Sequence, residues 1–173
     1  MKDGFAHQLR LDSIRDGDRL DLVADDAERR DIAKRLGLGT VDGVEAHACL
    51  SRKGGLVRAE GRLVASLVQS CVVTGAPVAA HIDEPFALIF KPELQASPDD
   101  EIELGAEDCD TVFYEGGIID LGSAIADTLA LSLDPYPRSA EADAALKEAG
   151  VISEAEASPF AVLAQLKKGS EGS

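Results

Sequence analysis

Cys71 is the residue whose surroundings point most directly to chemistry. It lies in Leu67-Val-Gln-Ser-Cys71-Val-Val-Thr74-Gly-Ala-Pro77-Val78, a turn between two strand-like runs. Two cysteines three apart at such a turn make a metal knuckle, because both thiolates then face one zinc ion. Thr74 holds the second position, so this knuckle is one thiolate short. Cys49 and Cys109 are single and widely spaced, and neither metal nor cofactor is expected. Cys71 as a nucleophile would need an activating His or Asn, and none is near in sequence. An inert thiol at a strand end is the expectation. His7, His47 and His81 are scattered, and no G-x-S-x-G elbow or P-loop occurs. Asp120 is a conceivable general base, but its place before an apolar-periodic run suits a helix cap better. No catalytic residue is assigned, and the chain is not expected to be an enzyme.

The elements that must carry these residues are set by periodicity. Gln8–Leu11 and Arg19–Val23 alternate and read as two strands joined by the Asp16-Gly17-Asp18 turn. Asp25 or Asp26 caps a helix running to about Leu36, with Ile32, Ala33 and Leu36 inward and Gly37 as its stop. Val44–Leu50 is a strand, and Lys53-Gly54-Gly55 turns the chain. Leu56–Gln69 is a long strand with a bend or bulge expected at Gly61. Val78 to Phe90 alternates as another strand, with Pro85 placing it at an edge or bulge. Thr111–Tyr114 is a further short strand. From Asp120 a helix runs to about Leu133, with Leu121, Ile125 and Leu129 on one stripe and Leu131 or Ser132 at its margin. Pro135 and Pro137 end it. The fold class is α+β: an antiparallel sheet of about five to seven strands curling towards a barrel, with two or three packed helices.

Length and composition bound the rest. The chain has 173 residues and no Trp, so one domain with an aliphatic core is expected over residues 1–137. No apolar run approaches the ~20 residues that span a bilayer, and the first residues lack a signal-peptide core. A cytoplasmic protein with reduced thiols is expected. The net charge is −15, which repels nucleic-acid backbones and attracts basic proteins. Nine acids and no Lys or Arg lie between Glu93 and Glu115, a stretch too polar for a core element. Arg52, Lys53, Arg58 and Arg62 form a small basic cluster. It reads as solvated surface, with direct RNA contact as the alternative.

Residues 138–173 read as an acidic, Ala-rich and partly disordered linker, weakly helical over 139–149, ending in a short amphipathic helix at about 158–168. There Ser158 is a cap, Pro159 suits the first helical position, and Lys167 and Lys168 suit the negative end. Phe160, Val162, Leu163 and Leu166 make an apolar patch on a helix too short to stand alone. It must dock on its own sheet or on a partner, and a partner anchor is the reading preferred here.

Three blocks carry a resemblance. They are Gly61-Arg-Leu-Val-Ala-Ser-Leu through Cys71-x-x-Thr74-Gly-Ala-Pro77, then Gly117-Ile-Ile-Asp120-Leu121 through Pro135-Tyr-Pro137, then Ser158-Pro-Phe160-Ala-Val-Leu163-Ala-Gln-Leu166-Lys. In this order and spacing the chain resembles the YceD family, bacterial proteins named for large ribosomal RNA subunit accumulation. Gly61, Cys71, Pro77, Asp120, Leu121, Pro135 and Pro137 are the motif residues, read as structural. The chain departs from the family's frequent Cys-x-x-Cys at Thr74, and it has no Cys or His after Pro137. The resemblance implies a role in synthesis, processing or stability of large-subunit (23S) rRNA. With the acidic charge, it suggests an adaptor or chaperone for a basic ribosomal protein or a pre-large-subunit particle, any contact with rRNA being indirect. No membrane partner is expected.

Overall fold

Three long strands carry the fold, and each keeps one face apolar. In the computed structural model, which describes residues 5–93 and 110–151, they are β3 (Thr40–Lys53), β4 (Leu56–Ser70) and β5 (Pro77–Pro92). Around them lie β1 (Gln8–Arg10), a 3₁₀ turn at Leu11–Ser13, β2 (Asp18–Val23), α1 (Asp26–Leu36), β6 (Thr111–Tyr114), β7 (Ile118–Asp120), α2 (Leu121–Ser132) and α3 (Ala142–Glu148). The main sheet has the order β2-β3-β4-β5-β6, while β1 and β7 form a separate ribbon. All pairs are antiparallel except β5–β6, which is parallel.

Alternation decides which side is core. Val57, Ala59, Leu63, Ala65 and Leu67 of β4 are buried, and Ile82, Phe86, Leu88 and Phe90 of β5 join them. On β3 the phase changes. Val41 is buried, then Val44, Ala46, Ala48 and Leu50, because the register shifts between Val41 and Gly43. One extra residue swaps the faces. The bulge hides the strand's first residues from a strict period-two reading, so β3 starts four residues before Val44.

Three further expectations are corrected. The sheet does not close into a barrel: β2 and β6 are its outer strands and do not pair. They are short, at 6 and 4 residues, and the apolar face is covered by helices, with Ile32, Leu121, Ile125 and Leu129 in one cluster with the strands. The Asp16-Gly17-Asp18 turn exists, but β1 and β2 are not a hairpin. The 3₁₀ turn diverts the chain, and β1 pairs with β7. Leu131 is 84% exposed, since a position two residues from Leu129 lies on the opposite side of a helix. Pro85 does sit where expected: β6 pairs only with Ile89–Pro92, leaving the other flank of β5 at Pro85 without a strand among the described residues. Residues 139–149 hold α3, and Ala142 is buried.

Both long helices have strong starts. Asp25 and Glu28 make a reciprocal capping box, and Gly37 closes α1 in the left-handed conformation. Asp120 caps α2: its carboxylate accepts from Ser123 N at 3.0 Å and from His7 N at 3.1 Å. Leu121 N donates to His7 O at 3.0 Å. The same residues thus begin the helix and close the β1–β7 ribbon.

Gly61 causes no bend, for the β4–β5 register runs through it unbroken. It permits close approach instead: a Cβ there would lie 1.7 Å from His47 O. Gly61→Ala must push β3 and β4 apart, and it should lower unfolding free energy by about 3 kcal/mol, the upper part of the overpacking range. Denaturant titration reads this directly; a loss below about 1 kcal/mol would mean that the strands separate easily there.

Candidate functional site

The turn between β4 and β5 is a two-armed knuckle. Ser70 pairs with Pro77, and the residues between them fold back on themselves. Cys71 N donates to Ala76 O at 2.8 Å, and Gly75 N to Cys71 O at 2.9 Å. The Thr74 hydroxyl accepts from Ala76 N at 3.2 Å. The second arm is the segment after α2. Val72 N donates to Pro137 O at 2.9 Å, and Gln69 Nε2 to Asp134 O at 2.9 Å. Thr74 Oγ1 lies 3.3 Å from Ser139 Oγ. Pro137 is buried within this junction, whereas Pro77 and Pro135 remain exposed.

Cys71 is buried as expected, but outside the main apolar cluster. Its surroundings are polar. Hydrogen bonds from the Thr74 hydroxyl and then the Ser139 backbone N–H hold the thiol down at about 6, against the opposing effect of burial. The Ser139 hydroxyl and Thr74 N–H act in the same direction. Sequence reasoning missed Ser139, which no local motif connects to Cys71; only the fold of the twin-proline segment brings it there.

A thiolate with two neutral hydroxyls does not fit zinc, whose structural sites use four Cys, His or carboxylate donors. Both hydroxyls already serve the sulfur. Among the described residues, no group of three or more His, Cys, Asp and Glu could hold a metal ion. Elemental analysis of protein purified without chelator should find zinc well below one per chain; a tightly held equivalent would contradict the donor chemistry. Thiolate absorbance, in a chain with Cys49 and Cys109 replaced by Ser, should titrate with a midpoint near 6. Thr74→Val should move that midpoint upward. A midpoint above about 8 in the intact knuckle, the ordinary thiol range, would refute the hydrogen-bonded thiolate.

The basic candidates do not converge. Arg52 is half-buried, and its guanidinium donates to Leu11 O at 2.5 Å and Gly54 O at 3.0 Å. Arg58 pairs with Glu60 at 2.9 Å and Arg62 with Asp83 at 2.5 Å. Lys53 is exposed at the β3–β4 hairpin tip. The hydrogen bond between Arg62 and Asp83 raises the guanidinium and lowers the carboxyl from their ordinary values. The open face of the sheet further carries Asp21, hydrogen-bonded to His47 at 2.7 Å, and Glu45. Its charges are interleaved rather than basic.

The acidic stretch is anchored at both ends. Parallel pairing of β5 with β6 demands a long crossover, and residues 94–109, which make it, lie outside the described residues. At its base Glu93 N donates to Tyr114 O at 2.9 Å. The Glu93 carboxyl is raised above the usual range by a hydrogen bond with Glu115 and then by the like charge. Tyr114 OH donates to Gly55 O and ties β6 to the β3–β4 hairpin. Asp110 and Glu115 are exposed beside it. The remaining candidates Phe160, Val162, Leu163 and Leu166, like Cys109, lie outside the described residues. Asp120 caps α2 and Leu121 is fully buried. No helix among the described residues is long and apolar enough to cross a membrane.

The family model described as "Large ribosomal RNA subunit accumulation protein YceD" matches residues 59–167. No curated protein and no solved structure matches the chain. The match covers most of the sequence, from within β4 through the knuckle, the acidic crossover and α2 to Lys167. With 109 of its 173 residues matched, the chain belongs to the YceD family.

Proposed function

We propose that this protein supports accumulation of large-subunit ribosomal RNA without catalysing a reaction, by holding a basic protein of the large subunit against its acidic crossover. The observation that carries this reading is the concentration of charge. Nine of the acids behind the net −15 lie between Glu93 and Glu115 with no cation among them. Elsewhere acids and bases are interspersed, and several exposed ones pair, as at Arg58–Glu60, Arg62–Asp83 and Arg35–Asp127. The crossover thus holds nine of the fifteen surplus negative charges, and the pressed-together Glu93 and Glu115 carboxyls favour an incoming cation. A phosphate backbone would meet repulsion there. Direct RNA contact through Arg58 and Arg62 would first require breaking their ion pairs. Asp120 is engaged by two backbone N–H groups, which leaves it poorly placed as a general base.

Complementation of a depletion strain tests the reading. Depletion should reduce large subunits relative to small ones in sucrose gradients. The unaltered chain should restore them, and so should Arg58→Ala with Arg62→Ala. A chain with Glu101, Glu103, Glu107 and Asp108 changed to their amides should not. Full restoration by the amide variant would defeat the acidic-adaptor reading. Failure of the arginine variant, with naked rRNA bound tightly at physiological salt, would favour direct RNA contact instead.

A further inference from the structure

A groove beside the knuckle is lined by apolar side chains. Leu36 and Leu38 from the end of α1 form one wall, Leu131 and Leu133 from the end of α2 another, with Val72 and Pro135 between. Its volume is about 540 Å³. Leu131 is 84% exposed and Val72 54%. Large apolar groups left this open in one place mark a surface awaiting a partner. The single charged side chain in the lining is Asp134.

We propose that the groove is the seat of this chain's own segment Ser158–Lys168, folded back as a short helix. Phe160, Leu163 and Leu166 fall at spacings of three, which places them on one helical face, with Val162 at its side. Such a face matches a cleft of Leu, Val and Pro. The charge also matches: from Ser158 to Lys168 the segment has two lysines and no acid, in a chain that is otherwise strongly acidic, and the groove offers Asp134 and no cation.

Reach is ample. Ser139, at the start of the arm that leads to α3, touches the knuckle at Thr74, and Val72 and Pro135 of that junction are groove residues. α3 adds seven residues, about 10 Å of helix. The six residues from Ile152 to Ala157 then span up to ~21 Å, a length comparable to the distance the seven-residue helix leads away. The family match ends at residue 167, one past Leu166, so the segment belongs to the same pattern as the α2 and knuckle walls of the groove. This inference is independent of the acidic-adaptor reading. It prefers a seat in cis to the partner anchor expected from the sequence.

Hydrogen exchange on the full-length chain tests it. Backbone amides of residues 161–168 should exchange at least about tenfold slower than an unstructured chain. Leu131→Asp should abolish that protection while leaving the amides of β3 and β4 unchanged, because Leu131 is exposed and its helix keeps its core stripe. Val72→Asp is the second probe of the same groove from the other arm and should act alike. Unprotected amides in the unaltered chain would overturn the proposal. So would protection that survives both substitutions, or protection lost on dilution together with a dimer mass in sedimentation, which would assign the groove to a second copy.

Discussion

The carboxylate of Asp120 joins the two parts of this fold. One oxygen receives the N–H of His7 and the N–H of Ser123, so the N-terminal strand and the first turn of α2 are held at the same point. Helix N-termini leave N–H groups without partners, and this carboxylate satisfies one while stitching β1 to β7. Directly after it in the chain comes the stripe Leu121, Ile125 and Leu129, each fully buried. These side chains cover the apolar face that β3, β4 and β5 would otherwise expose. The fit is close: a Cβ on Gly122 would come 2.5 Å from Phe5 O, so the N-terminal segment lies directly on the helix. Because a helix and a ribbon cover the sheet, the sheet has no need to close on itself.

The same architecture divides the charge. Strand alternation places acids and bases of β2, β3, β4 and β5 on one open face, where register sets opposite signs near one another. His47 stands opposite Arg62 and beside Asp21, and Asp83 meets Arg62 from the next strand. Exposed pairs of this kind add little stability, but they engage Arg58 and Arg62. The parallel junction of β5 with β6 is different, because it forces a long excursion that carries acids alone.

The knuckle shows how packing, rather than sequence spacing, surrounds a single cysteine with hydrogen-bond donors. The turn is closed by hydrogen bonds between Cys71, Gly75 and Ala76, and the twin-proline arm packs against it. With Thr74 and Ser139 around the sulfur, hydroxyl and backbone donors lower the Cys71 thiol from its ordinary value. Three-residue spacing advertised Cys71 and Thr74 in the sequence, but Ser139 had no such signal. Hydrogen-bond donors to a thiolate have no preferred spacing along the chain, so only packing reveals them.

Much was legible from the chain alone, for identifiable reasons. The helices at Asp26–Leu36 and Leu121–Ser132 announced themselves through caps and apolar spacing, which are local. The long strands did so through alternation, and the acidic crossover through its composition. The three blocks placed the chain among its relatives. Tertiary structure decided what depends on contacts between distant segments: that β1 pairs with β7 rather than β2, that β6 joins in parallel, that the sheet stays open, and that Arg58 and Arg62 are spent on carboxylates. It also decided that Leu131 faces outward over a groove. Local propensity fixes an element's type and its apolar side, because both arise within a few residues. Pairing partners and sheet closure depend on which surfaces meet, and a short strand such as Gln8–Arg10 carries too little pattern to specify its neighbour.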